Sequence, residues 1–259
     1  MSRGTLSCCL IVRDEEALLP DALRSVSFAD ELIVGIDSRT TDRTEEIARS
    51  FGAKIHEFEW QDDFSKARNI GIRKARKDFI LIIDADDRIT DWGKATIREV
   101  LRQPRRDVDV YGLLIENRKL DGTLLKVDPL PSVRLFPNHQ GIRYHNRVHE
   151  VLTGNKPLQI GWLRGGMAIT HYGYDPNLYK QKGKDARNLG LLEQELFKER
   201  PKDRLLAYEL ARQHVIGGRK AEAYIWARYA LTLPGYLRPE LTTELERIVQ
   251  LDTMQGIHT

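Results

Sequence analysis

Paired cysteines, long hydrophobic runs and a strong excess of one charge are all missing from this chain of 259 residues. The two cysteines, Cys8 and Cys9, are neighbours in an apolar segment, which suits a reducing compartment better than a structural disulfide. No apolar run approaches the roughly 20 residues that a membrane-spanning helix needs. Leu6 to Val12 is also too short for a signal peptide. We therefore expect a cytoplasmic protein without a transmembrane segment, with peripheral association at the inner membrane face as an alternative.

The charges are balanced, because 41 Lys and Arg residues face 38 Asp and Glu residues and the net charge is +3. Acidic and basic residues are interspersed, which argues against the basic stripe of a duplex-binding module. A chain of this length with 41% hydrophobic residues can bury a substantial core. It is long enough for one large domain or for a domain with an appendage.

The most informative segment, Asp78 to Arg88, reads D-F-I-L-I-I-D-A-D-D-R. Its five consecutive apolar residues, Phe79 to Ile83, predict a strand that is buried on both faces in a parallel sheet. Asp84, Asp86 and Asp87 follow at the point where this strand leaves the sheet. Ligands of open α/β folds bind in the crevice outside such strand ends.

Three carboxylates within four residues repel one another, and a divalent cation offsets that repulsion well. Mg²⁺ and Mn²⁺ take oxygen ligands and are commonly held by one or two carboxylates together with substrate phosphates. The alternative is a solvated acidic turn before a helix that begins near Asp91, and an isolated D-x-D would favour that alternative. The strand-end position and the pattern upstream favour the cation here.

Strands and helices alternate through the first part of the chain. Apolar runs predict strands at Leu6 to Val12, Glu31 to Ile36, Lys54 to Phe58 and Phe79 to Ile83. Helical spacing of apolar residues predicts helices around Ala17 to Val26, from Asp42 through Phe51, at Phe64 to Ala75 and at Asp91 to Gln103. Asp42 and Glu45 have the spacing of a capping box. The alternation predicts an α/β fold with a right-handed, mostly parallel sheet flanked by helices.

Short strands and turns replace the alternation after Asp87. Val108 to Asn117 and Leu124 to Val127, joined by the Asp121-Gly122 turn, predict a hairpin. Further short strands are expected at Ser132 to Phe136, near residues 144–152 and at residues 167–170, and they would give the sheet a mixed edge. From Pro176 onward the pattern is helical. We therefore expect an α/β domain over residues 1–175 and a small all-α region over residues 176–259.

Two predicted helices in the C-terminal region, Leu205 to Val215 and Ala221 to Leu233, resemble a tetratricopeptide repeat. The residues at repeat-like positions are Ala207, Tyr208, Ala211, Gly217, Ala223, Ala227, Ala230 and Leu231. One repeat cannot bury its faces alone. We expect it to pack on neighbouring helices, on the α/β domain or on a second copy of the chain in a homodimer. The aromatic residues Tyr208, Tyr224, Trp226 and Tyr229 would belong mostly to the core or would line an acceptor groove.

Two more residues could contribute to a site at the strand ends. Asp37 ends the second strand, where its carboxylate could accept hydrogen bonds from a ribose or a base, or could simply form a turn. Arg68, one helical turn after Ser65, could fork onto phosphate oxygens, although most helical arginines are solvated.

Four motifs occur in a fixed order along the chain: L-I-V-R-D-E-E, I-D-S-R-T-T-D-R-T, F-E-W-Q-D-D-F-S-K-A-R-N and L-I-I-D-A-D-D. In this order and at these intervals they resemble family 2 glycosyltransferases of the GT-A fold, in particular the bacterial branch with lipopolysaccharide-core and peptide S-glycosyltransferases. The likeness continues through R-L-F-P-N-H-Q-G-I-R-Y-H-N-R-V-H-E-V-L and H-Y-G-Y to about residue 175. It implies a metal-dependent transfer of a sugar from a nucleotide diphosphate to an acceptor, with inversion.

The resemblance also implies roles for individual residues. The residues implied to bind the donor are Val12, Arg13, Glu15, Asp37, Arg68, Asp84, Ala85 and Asp86. Asp84 would face the ribose, while Asp86 and His171 would bind the cation, Mn²⁺ or Mg²⁺, with His149 as a competing ligand. Glu150 would be the catalytic base, because the acceptor must lose its proton to a nearby carboxylate as it attacks. The alternative for Glu150 is a salt bridge with a nearby residue such as Arg143 or Arg147.

Two positions depart from the family pattern. Similar sequences usually have Asn where this chain has Asp14, and glycine where it has Arg39, so nucleotide identity and loop geometry stay open. The expected partners are a nucleotide-diphosphate sugar, most simply a UDP-sugar, and an acceptor glycan, peptide or other small molecule.

Other functions fit the sequence less well. A haloacid-dehalogenase-type phosphatase would carry its D-x-D after the first strand, a sugar nucleotidyltransferase would have a Gly-rich loop where this chain has R-D-E-E, and an EF-hand would have glycine in place of Ile89. The non-enzymatic alternative is a nucleotide-binding scaffold whose repeat-like helices bind a partner.

Overall fold

A computed structural model describes residues 3–128 and 131–255 of the chain. The chain divides into two compact units, of which the first ends at Leu178 and the second begins at Tyr179. The first unit combines strands and helices, and the second is helical. The predicted fold class, an α/β unit with a mixed sheet flanked by helices and followed by a helical region, is confirmed.

Alternating strands and helices open the first unit, as the apolar pattern predicts. They are β1 (Leu6–Val12), α1 (Leu19–Ser25), β2 (Glu31–Asp37), α2 (Thr44–Ser50), β3 (Lys54–Phe58), α3 (Phe64–Lys74) and β4 (Phe79–Ile82). The four strands are parallel and lie in the order β4-β1-β2-β3. Every residue of β4 is buried, because both faces of this central strand are covered.

Short strands dominate the rest of the first unit. They are β5 (Asp87–Ile89), β6 (Val110–Leu113), β7 (Ile115–Arg118), β8 (Leu124–Val127), β9 (Ser132–Pro137), β10 (Arg143–His145), β11 (Val151–Thr153), β12 (Ile160–Leu163) and β13 (Ile169–His171), with α4 (Asp91–Arg102) after β5. The main sheet has the order β12-β6-β9-β4-β1-β2-β3, and β9 is antiparallel to both of its neighbours. The expected mixed edge is therefore formed by β9, β6 and β12.

A second sheet stands beside the exit of β4. Its order is β5-β13-β7-β8, with β13 antiparallel to β5 and parallel to β7. Strands β7 and β8 form the predicted hairpin. Strands β10 and β11 pair separately in a two-stranded sheet.

Two local predictions were wrong. The segment Val108 to Asn117 is two strands rather than one, because the chain leaves the main sheet after Leu113 and enters the second sheet at Ile115. The capping box is absent as well. Asp42 accepts hydrogen bonds from the backbone N–H groups of Thr44 and Glu16, whereas Glu45 pairs with Arg49 on the surface of α2.

Hydrophobic clusters cover both faces of the main sheet. Alternate residues of β1 point to opposite faces, so Cys8 belongs to one cluster and Cys9 to the other. Both thiols are buried and free, and burial raises the pKa of each one above its usual value. This agrees with the expectation that the two cysteines are packing residues.

The second unit is built from helices with small residues at their contacts. After α5 (Pro176–Gln181) come α6 (Lys184–Gln194), a π-helical turn (Glu195–Glu199), α7 (Arg204–Ile216), α8 (Lys220–Thr232) and α9 (Pro239–Gln255). Ala207, Ala211, Ala227 and Ala230 are completely buried in its core.

Among the four aromatic residues considered above, Tyr208 belongs to this core, whereas Tyr229 is exposed. The tetratricopeptide-like character of these helices and a homodimer through them stay predictions. Across the described residues, no helix has both the length and the apolar character that crossing a bilayer requires.

Candidate active site

The carboxyl ends of β1, β2 and β4 meet at one edge of the main sheet, which brings together the polar segments that follow them. Neighbouring strands lie about 4.8 Å apart. Val12, Asp37 and the segment Asp84 to Asp87 therefore lie close together at this edge of the sheet. Val12 and Ala85 are both buried.

The loops after β1 and β2 are held together by hydrogen bonds. The backbone N–H of Thr41 donates to Oδ1 of Asp14 over 2.8 Å, and the backbone N–H of Glu15 donates to Oγ1 of Thr44 over 2.7 Å. Asp14 has a φ of 49°, in the left-handed region that Asn and Asp tolerate better than most residues. The replacement of Asn by Asp at this position therefore keeps the loop conformation accessible. Arg13 is half exposed and pairs with Asp14.

The second departure from the family pattern, Arg39, occupies the carboxylate of Asp37. Nε and Nη2 of Arg39 donate to the two carboxylate oxygens over 3.0 and 2.6 Å, and its backbone N–H donates to Oδ1 over 3.0 Å. Burial alone would raise the pKa of Asp37, but these bonds hold it below its usual value. Arg39 does not adopt a left-handed backbone conformation, so this loop does not require glycine there. Asp37 thus forms a turn and also presents a carboxylate at the strand end. These are the two alternatives that the sequence left open for this residue.

Two buried arginines surround Asp84. Nη2 of Arg68 lies 2.9 Å from Oδ1 of Asp84, and Nη1 of Arg134 lies 3.1 Å from Oδ2. Burial alone would raise the pKa of Asp84, but the two guanidinium groups hold it far below its usual range. Asp84 is therefore a permanent anion whose charge is balanced within the protein.

Arg134 was not identified from the sequence. It is the one charged residue of strand β9, and it reaches the site because β9 pairs with β4. It also lies 3.8 Å from Asp87, so it counteracts the repulsion between two of the three carboxylates. The one sequence feature that could have indicated a role for Arg134 is its charge within a strand of uncharged residues.

Asp86, Asp87 and His171 form a compact group whose potential ligand atoms lie within 4.8 Å of one another. The pairing of β5 with β13 places His171 directly opposite Asp87, and the backbone N–H of Tyr172 donates to the carbonyl of Asp86. Nδ1 of His171 is 2.8 Å from Oδ1 of Asp87 and 3.6 Å from Oδ1 of Asp86. Asp87 is the member of this group to which the sequence gave no specific role.

The backbone of Gly173 lies close to the side chains of Asp86 and His171. A Cβ atom at this position would lie 2.3 Å from Nε2 of His171 and 2.6 Å from Oδ2 of Asp86, which is too close for a real side chain. The imidazole nitrogen that does not face Asp87 and one carboxylate oxygen of Asp86 therefore both lie beside Gly173. His149 is not part of this group.

Glu150 reaches the site through contacts between α3 and the segment that contains β10 and β11. The side chain of Asn69 exchanges two hydrogen bonds with the backbone of Tyr144, and Oγ of Ser65 donates to the carbonyl of Asn146. Next to these contacts, Nε of Arg68 donates to Oε1 of Glu150 over 2.5 Å. The salt-bridge partner of Glu150 is thus Arg68 rather than Arg143 or Arg147.

Arg68 connects the parts of the site. It is 10% exposed, pairs with both Asp84 and Glu150, and lies over the ring of Tyr144. Its Nη1 is buried without a hydrogen-bond partner among the described residues. A buried guanidinium with an unused N–H donor can donate a hydrogen bond to one more anionic oxygen.

The family model described as "Glycosyl transferase family 2" matches residues 7–153. A TPR repeat-containing protein of Synechococcus elongatus is 33% identical over 258 residues, covering 96% of this chain and 61% of that protein. The SPbeta prophage-derived glycosyltransferase SunS of Bacillus subtilis is 30% identical over 197 residues, covering 74% of this chain and 45% of SunS. The chain thus spans less than two thirds of the length of either relative.

Among solved structures, the crystal structure of S. aureus TarS 1-349 aligns with a TM-score of 0.51 at 14% identity, covering 98% of this chain and 92% of that one. At this level of identity the likeness concerns the fold.

Proposed function

The chain belongs to glycosyl transferase family 2, and on that premise we propose that it transfers a sugar from a nucleotide diphosphate to an acceptor nucleophile with the help of a divalent cation. The name of SunS, a glycosyltransferase, supports the same reaction class. One observation carries the proposal. Asp86, Asp87 and His171 offer ligand atoms within 4.8 Å of one another at the exit of the buried strand β4, and the backbone of Gly173 lies close to two of these side chains.

The residues of this group fit a divalent cation. Carboxylate oxygens are the ligands of hard ions such as Mg²⁺ and Mn²⁺, and an imidazole nitrogen is acceptable to Mn²⁺. We assign Oδ2 of Asp86 and Nε2 of His171 as the ligand atoms. Asp87 would hold Nδ1 of His171, which fixes the tautomer and ring orientation in the way that outer-shell carboxylates do. When bound, the cation would neutralise the charge that develops on the departing diphosphate.

The donor-binding roles of the remaining strand-end residues are part of the proposal. The crevice around Val12, Arg13, Glu15 and Asp37 would take the nucleoside, and Asp84 and Ala85 would lie beside the ribose. We propose a UDP-sugar as the donor. The carboxylate of Asp37 would then exchange its bonds to Arg39 for bonds to the nucleoside. The unused donor of Arg68 would contact an oxygen of the diphosphate.

Glu150 would act as the base that removes the proton from the acceptor, a glycan, a peptide or another small molecule. A carboxylate on the acceptor side that takes this proton as the nucleophile attacks is the arrangement needed for direct displacement with inversion. In the structure Glu150 is paired with Arg68. If the diphosphate attracts Arg68, the carboxylate of Glu150 becomes available only when the donor is bound.

The test is the release of nucleoside diphosphate from a panel of nucleotide sugars in Mn²⁺, with water or added acceptors as the nucleophile. We expect turnover of at least one donor by the unaltered chain. Glu150→Gln should lower turnover by about 100-fold or more, because general base catalysis contributes that much, while nucleotide affinity is retained. Nucleotide binding without turnover of any donor would instead support the scaffold alternative.

A further inference from the structure

Asn117 on β7 is a completely buried polar residue next to the proposed cation site. Neither its Nδ2 nor its Oδ1 has a hydrogen-bond partner among the described residues. A buried amide without partners destabilises the folded state, so such a group in a folded protein calls for an explanation. The common explanations are a bound water, an ion or a functional role.

The register of the second sheet shows what lies beside Asn117. Asp87 on β5 is opposite His171 on β13, His171 is opposite Asn117 on β7, and Asn117 is opposite Lys126 on β8. Residues that are opposite one another in neighbouring strands project from the same face of a sheet. Asp87, His171, Asn117 and Lys126 therefore form a polar row, and Asn117 flanks His171 on the side away from Asp87.

Tyr174 contacts this row on both sides of Asn117. Its ring lies edge-on to the ring of His171, with 5.6 Å between the centroids, and Nζ of Lys126 is 4.7 Å from the centroid of Tyr174. The ring thus spans the row from His171 to Lys126. This explains how an amide in a four-stranded sheet is shielded from bulk water.

We propose that Asn117 is a positioning residue of the cation site, whose carboxamide binds a water molecule in the hydration shell of the cation held by Asp86 and His171. The proposal rests on the function proposed above. Neighbouring strands lie about 4.8 Å apart, so the amide of Asn117 is close enough to share one water with the ligands of the cation. An amide oxygen accepts the hydrogen bond that such a water donates. The amide oxygen of Asn117 would thus have a partner in the metal-bound protein.

Mn²⁺ affinity, measured by calorimetric titration of the full chain, separates this role from that of a buried polar residue that only fills space. Asn117→Leu removes the amide and keeps a side chain of similar size. We expect Mn²⁺ affinity to fall about 10- to 100-fold, the usual effect of losing an outer-shell partner. The melting temperature without metal should stay the same or rise, because no orphaned amide remains. Asn117→Asp keeps an acceptor oxygen at the same place and should retain Mn²⁺ affinity.

Thr170→Val is the matched control. Thr170 precedes His171 on β13, but its hydroxyl donates to Glu116 on the opposite face of the sheet. This variant also removes a largely buried polar group, and its Mn²⁺ affinity should be unchanged.

Three results would overturn the inference. If Asn117→Leu raises the melting temperature and binds Mn²⁺ like the unaltered chain, Asn117 has no role at the cation site, and the proposed function survives. If Asn117→Asp loses Mn²⁺ affinity as Asn117→Leu does, the acceptor oxygen at this position does not contribute to Mn²⁺ binding. If the unaltered chain binds no Mn²⁺ with or without nucleotide, the inference falls together with the metal-dependent function.

Discussion

At the scale of single residues, Gly173 provides a test of the proposed ligand atoms, because its backbone lies close to both Asp86 and His171. We predict that Gly173→Ala abolishes the rise in melting temperature that Mn²⁺ gives the unaltered chain, because the added Cβ would lie 2.3 Å from Nε2 of His171. The measurement is a thermal-shift titration with Mn²⁺.

Gly190→Ala is the control for this substitution. Gly190 lies within α6, and no atom is close to the position of its missing Cβ. Alanine stabilises a helix interior relative to glycine by about 0.5–1 kcal/mol, so this variant should melt slightly higher and keep its response to Mn²⁺. A full Mn²⁺ response in Gly173→Ala would contradict the assignment of the ligand atoms.

Arg39 tests how the nucleoside is recognised. Both oxygens of Asp37 are bound to Arg39, so a nucleoside that binds Asp37 must displace a two-pronged ion pair. We predict that Arg39→Gly raises the affinity for UDP by about tenfold. This corresponds to roughly 1.4 kcal/mol, the assumed cost of displacing Arg39 from Asp37. Calorimetric titration with UDP measures it, and the exposed Arg24→Ala is the control. Weaker UDP binding in Arg39→Gly would mean that Arg39 itself contacts the nucleotide.

Residues of the candidate site that follow directly after an apolar strand were identified from the sequence. Residues that reach it only through strand pairing were missed. The strand-end carboxylates Asp37, Asp84 and Asp86 follow from apolar runs that end abruptly. Arg134 and Asn117 come from later strands, and their positions depend on the pairing of β9 with β4 and of β7 with β13. Nothing in the residues around Asn117 signals that pairing, because it joins segments more than 50 residues apart.

At the scale of the secondary-structure elements, Glu31 joins four segments at the start of the parallel strands. Its buried carboxylate accepts hydrogen bonds from Oγ of Ser7 on β1, from Nζ of Lys54 on β3 and from the backbone N–H of Arg76 before β4. Burial alone would raise the pKa of Glu31, but these partners bring it below its usual value. The charged carboxylate therefore stabilises the fold.

The sign of the pH dependence follows from this lowered pKa. A carboxylate whose pKa is lower in the folded state stabilises the protein above its unfolded pKa of about 4.3, and the contribution is lost as the pH falls through the folded value. We predict that the melting temperature decreases below about pH 4.5 and that Glu31→Gln decreases less steeply in this range. If the melting temperatures of the two proteins decrease equally from pH 7 to pH 3, Glu31 makes no such contribution.

The elements themselves differ in how well the sequence predicts them. Strands β1, β2 and β4 are mostly apolar and β3 is short, and the bounds of all four were predicted to within one residue. Strands β5 and β12 were not predicted, because D-R-I and I-G-W-L are short and lack a clear alternation. The break at Leu114 was missed because neither Gly nor Pro marks the change of sheet.

At the scale of the whole molecule, every residue of the proposed site lies in the first unit, which ends at Leu178. The second unit has its own core, with Ala211 and Ala227 completely buried. We predict that a chain ending at Gly183, between α5 and α6, keeps the affinity of the full chain for UDP and Mn²⁺. Calorimetric titration of both chains checks this. A truncated chain that melts cooperatively but binds UDP much more weakly would show that the helical unit contributes to donor binding.

The central claim is that Asp86 at the exit of β4 holds a cation, and that this cation holds the diphosphate of the donor. The most direct measurement is a calorimetric titration of UDP into the unaltered chain and into Asp86→Asn, each in Mn²⁺ and again in EDTA. The account predicts that Mn²⁺ strengthens UDP binding to the unaltered chain and has no such effect on Asp86→Asn. Equal affinities in Mn²⁺ and EDTA, or an Mn²⁺ effect that survives in Asp86→Asn, would contradict it.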